Sequence, residues 1–124
     1  MAMAQDFCSR MMIDVIGLNA VVLATVDGFE AVHAIRNDLK PERLAALASS
    51  IAAIGQVVAL EGSLGQSKRI IIDAEHGYTL VCSVPRQDIG FVLILLSDTD
   101  ALLGQLNVNA IKGSQFFANL QILP

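Results

Sequence analysis

Charge is what this sequence has least of. Asp, Glu, Lys and Arg make up only 16% of its 124 residues, against about 25% in an ordinary soluble domain. Tryptophan is absent, and five Phe and one Tyr offer no aromatic platform on which nucleic-acid bases could stack. Basic runs are missing as well. With a net charge of -4, nucleic acid and anionic lipid are poor partners. The two cysteines, Cys8 and Cys82, form neither a CxxC pair nor a metal-ligand spacing. Two unpatterned thiols suit a reducing cytoplasm, which is the expected location. The start, MAMAQDFCSR, carries Asp6 and no basic head before an apolar stretch, so no secretory signal is expected.

What is present is apolar. Hydrophobic residues are 54% of the chain, so the surface lacks charge because it lies in a membrane or against another protein. The length suits one domain, expected over 1–124, and at this size roughly two-thirds of the unfolded surface is buried on folding.

Along the chain, DFCSRMMIDVIG (6–17) reads as a helix with a glycine stop. VVLATVDGFEAVHAI (21–35) places Asp27-Gly28 between two apolar runs, a hairpin signal. A two-residue type I′ turn there requires positive φ at both residues. RNDLKPERLAALASSIAAIGQVVALEG reads as one long helix, with Pro41 in its first turn and Gly62 at its end. Strands follow at 67–74, 78–84 and 89–97. A last helix opens at Ser97, with Asp100 as a capping-box partner. VVLA and FVLILL lack alternation, so their strands are central and covered on both faces. The more mixed strands 29–35 and 67–74 are edges. The predicted architecture is α+β: one antiparallel five-stranded sheet between two helical layers, in the order α-β-β-α-β-β-β-α.

Leu44 to Leu60 contains no charged residue. Leu44, Leu47, Ile51, Ile54 and Val58 form one stripe and are the expected core face. The flank and back hold mostly small residues: Ala45, Ala46, Ala48, Ser49, Ala52, Ala53, Gln56, Ala59 and Leu60. A helix apolar all round is buried all round, so this second face is expected to meet another molecule. Seventeen residues with two serines, a glutamine and a glycine fall short of the ~20 strongly apolar residues of a membrane span.

Over about residues 6–112 the chain resembles the Roadblock/dynein light chain domain family, especially its bacterial members. The resemblance rests on VVLATVDGFEAVHA as first hairpin, LKPERLAALASSIAAIGQ as small-residue second helix, and IIID followed by GYTLVCSV and FVLILLS. It implies a profilin/roadblock-like sheet ordered 2-1-5-4-3, with the first and last helices on one face. It also implies a homodimer made by the second helices and third strands, and a platform that binds and regulates a Ras-like small GTPase. The expected contacts are Ala45, Ala48, Ser49, Ala52, Ala53, Gln56 and Ala59 on the helix, with Ile70, Ile71 and Ile72 on the strand, an edge needing a partner. Residues 113–124 fall outside the pattern and read as a tail.

No enzyme is expected, and neither cofactor nor metal. Asp73, Glu75 and His76 sit at a strand turn, where polar residues belong anyway. GSLGQSK (62–68) fails the phosphate-loop pattern before Lys68 and runs from a helix into a strand, so no helix N-terminus faces an anion. Cys82 lacks a positioned base, and His33 is a lone edge-strand histidine. Arg36, Arg43, Arg69 and Arg86 are scattered, and none is marked as a catalytic finger. A small-ligand sensor, which needs a cavity with converging polar groups, and a purely structural scaffold subunit are the alternatives to the GTPase platform.

Overall fold

The computed structural model describes residues 2–121. Helix α1 spans Ala2–Asp14, strand β1 Leu18–Thr25, β2 Glu30–Ile35, helix α2 Pro41–Glu61, strands β3 Arg69–Ala74, β4 Gly77–Val84 and β5 Phe91–Ser97, and helix α3 Leu103–Asn119. The five strands form one antiparallel sheet ordered β2-β1-β5-β4-β3. β1 and β5 lie inside it, and their unalternating runs Val21–Ala24 and Phe91–Leu95 are buried throughout.

Alternation along those strands feeds two cores. Val21, Leu23, Leu80, Leu93 and Leu95 face α1 and α3. Ala20, Val22, Ala24, Val81, Val92 and Ile94 face α2. α1 therefore shares one layer with α3, and α2 alone covers the other face.

The hairpin turn is not type I′. The Thr25 carbonyl accepts from Gly28 N–H at 2.9 Å, and Thr25 N–H donates to the Phe29 carbonyl at 2.8 Å. Gly28 alone is left-handed, at φ +95°, and Asp27 is not. The loop is longer than two residues and the β1–β2 register shifts between Leu23 and Ala24, which is how a longer hairpin loop with a bulge absorbs the strand twist.

α3 differs from expectation at both ends. Ser97 does not cap it, because the Ser97 hydroxyl accepts from Tyr78 N–H at 3.1 Å and the residue still belongs to β5. Asp98 instead accepts from Asp100 N–H at 2.8 Å, and the helix begins at Leu103 without a side-chain cap. At the other end it runs through Lys112-Gly113 to Asn119, so residues 113–119 are core and not tail. Gly113 is buried, and a Cβ there would stand 2.9 Å from the Leu93 side chain and 3.3 Å from Met11. Glycine costs about 1 kcal/mol of helix propensity but lets α3 approach the sheet and α1. Phe117, fully buried, then meets Phe7 edge-on at 5.5 Å, and Phe116 stacks on Phe7 at 4.2 Å. The expected tail beyond 121 lies outside the described residues.

Arg86 holds the end of this helix. It donates to the carbonyls of Phe117 and Leu120, where the helix dipole favours a cation. Asp88 grips the same guanidinium through two bonds of 2.7 Å. That pairing, with the Ile89 N–H, holds the Asp88 carboxyl well below the usual carboxylate range.

Candidate interaction surface

α2 packs on the sheet through its small residues. Ala45 and Ala48 are 0% exposed against the close-set Ala20, Val22 and Ala24 side of the sheet, and Ala59, near the helix end, is 7% exposed. Of the large stripe expected in the core, only Leu44 is buried, and Ile51 is half-buried. Leu47 is 56% exposed, Ile54 64%, Val57 64%, Val58 61% and Leu60 64%.

The helix is thus rotated by about a quarter turn from the sequence reading, so that Leu44 and Ile51 of the expected stripe still meet the sheet while Leu47, Ile54 and Val58 do not. Ala45 and Ala48 cannot touch another molecule, because the protein's own sheet covers them, and Ala59 is buried within the chain. Ser49, Ala52 and Gln56 are half-buried, with Ser49 donating to the Val26 carbonyl and Gln56 accepting from Ser67 N–H at 3.1 Å. Ala53 alone of the expected helix contacts is exposed. Side-chain size misled: the larger stripe looked like the core, but a flat sheet admits a helix more closely on its small face. The usable signal was the missing charge, which marks both faces as apolar without saying which one turns inward.

Those five outward aliphatic side chains amount to on the order of 500 Å² of apolar surface, near the upper limit for one patch on a monomer. Beside them runs β3. Ile70 is half-buried under α2, while Ile71 is 46% and Ile72 41% exposed. Ser83 N–H donates to the Lys68 carbonyl at 3.1 Å, so in this antiparallel ladder Ile70 and Ile72 turn their backbone groups to β4. Arg69, Ile71 and Asp73 turn theirs to the free edge, where they find no partner among the described residues. The opposite edge is blunted: Gln5 of α1 reaches over β2 and donates to the His33 carbonyl at 2.8 Å. His33 itself pairs with Glu30 at 2.7 Å.

α2 is, among the described residues, the one helix long and apolar enough to cross a membrane. Its two ends lead into β2 and β3 of a single sheet and its small face is sealed on that sheet, so spanning would cost that whole core.

A cleft of about 690 Å³ opens at one end of the sheet between α2 and α3, lined by Gln56, Lys68, Arg69 and Ser83 along with apolar Val84 and Phe91. The expected polar turn is where the sequence placed it. Glu75 and His76 are exposed between β3 and β4, 3.9 Å apart, and Asp73 lies on the strand before them. GSLGQSK runs from the α2 end towards β3. Arg36 donates to the Met12 carbonyl at 2.7 Å, so it and Arg86 are committed internally, while Arg10, Arg43 and Arg69 stay exposed.

Cys8 and Cys82 are both 0% exposed. Burial pushes the Cys8 thiol up to about 12, and that of Cys82 up to about 11. Alkylation of native protein at pH 8 is therefore expected to be at least a hundredfold slower than of urea-unfolded protein, because the thiolate is the nucleophile. Both folded values are raised, so this stability is present below pH ~9 and is lost as pH rises toward the folded values. Rapid native labelling of either thiol would contradict the packing described.

The fold is that of the Roadblock/LC7 domains. A Roadblock/LC7 domain from Streptomyces avermitilis aligns with a TM-score of 0.80 at 18% identity, covering 90% of this chain and 91% of that one. MglB from Myxococcus xanthus gives 0.81 at 16% identity, over 94% and 92%. An MglB with tetrameric arrangement gives 0.84 at 18%, over 94% and 86%. No protein-family model and no curated protein matches the chain.

Proposed function

We propose that this chain is a non-enzymatic, homodimeric platform that binds and regulates a Ras-like small GTPase, including as a GTPase-activating partner, in the cytoplasm. The observation that carries the reading is the uncharged outer face of α2 lying beside the open edge of β3 on a Roadblock fold. A second copy can cover both at once through one isologous contact. The tetrameric arrangement of an MglB supports association on this fold, and the family resemblance supports a GTPase as partner. The chemistry in this reading belongs to the GTPase; Glu75 and His76 are solvated turn residues, and Asp73 is an exposed residue of the β3 edge.

The test is capture from native cytoplasm, followed by GTP hydrolysis by the captured GTPase with and without this protein. Binding that depends on the bound nucleotide, with a changed hydrolysis rate, is the expected result. Capture of no GTP-binding protein, or an unchanged rate, overturns it. The cleft beside Gln56, Lys68 and Arg69 favours a second reading, a small-ligand sensor. Saturable melting shifts with anionic metabolites, lost in Lys68→Ala, would favour that reading instead.

A further inference from the structure

β3 carries its charges in a self-complementary order. Its sequence is Arg69-Ile70-Ile71-Ile72-Asp73-Ala74. Arg69 and Asp73 are both exposed, and neither makes an ion pair among the described residues. Both lie on the face away from α2, as Ile71 does, since Ile70 packs under α2 beside its partner Val81.

Geometry then restricts how two such edges can join. For one two-fold axis to cover both the α2 face and the β3 edge, the two helices must lie on the same side of the joined sheet. The axis is then perpendicular to the sheet, and directly opposed residues share a face. Opposed residue numbers must therefore share parity. The backbone demands the same, because only Arg69, Ile71 and Asp73 present groups to the open edge. Among these registers, the one centred on Ile71 pairs all three outward-facing residues. It also sets Ile70 against Ile72. Centring on Ile70 sets Arg69 against Ile71 and leaves Asp73 opposite a residue before the strand. Centring on Ile72 sets Asp73 against Ile71. Opposite charges directly across a ladder stabilise, and like charges destabilise.

We propose that two copies join through β3 in the antiparallel register that puts Ile71 on the two-fold axis, so that Arg69 of each strand lies directly opposite Asp73 of the other. The inference rests on the self-association in the proposed function and specifies its geometry. It makes one sheet continuous across the dimer, with two symmetric ion pairs selecting the register and rejecting edges that lack the same charge order.

Charge reversal and crosslinking test it. Arg69→Asp alone sets two carboxylates against each other twice, and Asp73→Arg does the same with two cations. Each variant is expected to dimerise about ten- to a hundredfold more weakly than wild type. Mixed, they restore both pairs, and the heterodimer regains an affinity near the wild-type one. Sedimentation velocity reads both outcomes. Separately, Ile71→Cys is expected to crosslink to itself under mild oxidation, because opposed strand Cα atoms lie about 4.5–5.5 Å apart, within disulfide reach. Ile70→Cys and Ile72→Cys should crosslink to each other when mixed, and neither to itself. Wild-type protein, with its buried thiols, is the control. Self-crosslinking of Ile70→Cys or Ile72→Cys, or charge variants that fail to complement, overturns the register while the dimer stands. A wild type that sediments as a monomer at micromolar concentration overturns the dimer itself.

Discussion

Val57→Glu is expected to convert a dimer into a monomer. Val57 is 64% exposed in the single chain and stands on the side of α2 opposite the sealed Ala45 and Ala48. The nearest charges along that face are at its ends, Arg43 and Glu61, so a carboxylate introduced mid-helix finds no cation. In an isologous contact the change is made twice, and an unpaired buried charge costs about 3–5 kcal/mol. That corresponds to a rise in Kd of roughly a hundred- to ten-thousandfold. Light scattering on a sizing column at micromolar protein decides it. Lys40→Glu, at the exposed position before the helix, leaves the dimer in place. A Val57→Glu variant that keeps the wild-type dimer mass would show that this face is not the contact. The exposed Ile54, Val58 and Leu60 would then require another cover.

How far this surface was legible depended on the kind of signal each residue carried. Periods of two and of 3.6, together with the turn residues, marked each strand and helix in order, because each rests on local chemistry, although α1 runs Ala2–Asp14 where 6–17 was expected and α3 begins at Leu103 and not after Ser97. VVLA and FVLILL marked the central strands for the same reason: a strand buried on both faces cannot alternate. The rotation of α2 was not legible, since Leu47 and Ala48 are both apolar, size favoured Leu47 for the core, and only the fit to the sheet reverses that choice. The continuation of α3 past Lys112-Gly113 was open in the sequence for a related reason. Gly113 looks like a helix stop in isolation, and its value lies in contacts with Leu93 and Met11 that no local window contains. Ser97 had two possible hydrogen-bond roles, and the strand pairing with Tyr78 took it. The β3 edge was legible as an edge from its mixed pattern, but which of its backbone groups face outward required the ladder to β4.

Phe117→Ala is expected to produce the largest loss of stability of any single truncation considered. The side chain is 0% exposed and packs with Phe7 and Phe116, at the point where α3 closes over α1 and the sheet. Removing a buried phenyl ring loses its transfer energy and leaves a cavity, typically about 3–5 kcal/mol together. Whole domains are stable by only about 5–15 kcal/mol, so much of the margin goes. For a chain of this length the melting temperature should fall by roughly 10–20 °C. The same carbonyl-bearing turn accepts the Arg86 guanidinium, so a loosened α3 end also removes these two acceptors and leaves Arg86 with Asp88. Because a dimer's melting temperature depends on concentration, the comparison is made in the Val57→Glu background, where only the single chain unfolds. A fall of less than about 3 °C would mean that residues 113–119 are the loose tail that the sequence pattern implied, and that the second core contributes most of the stability.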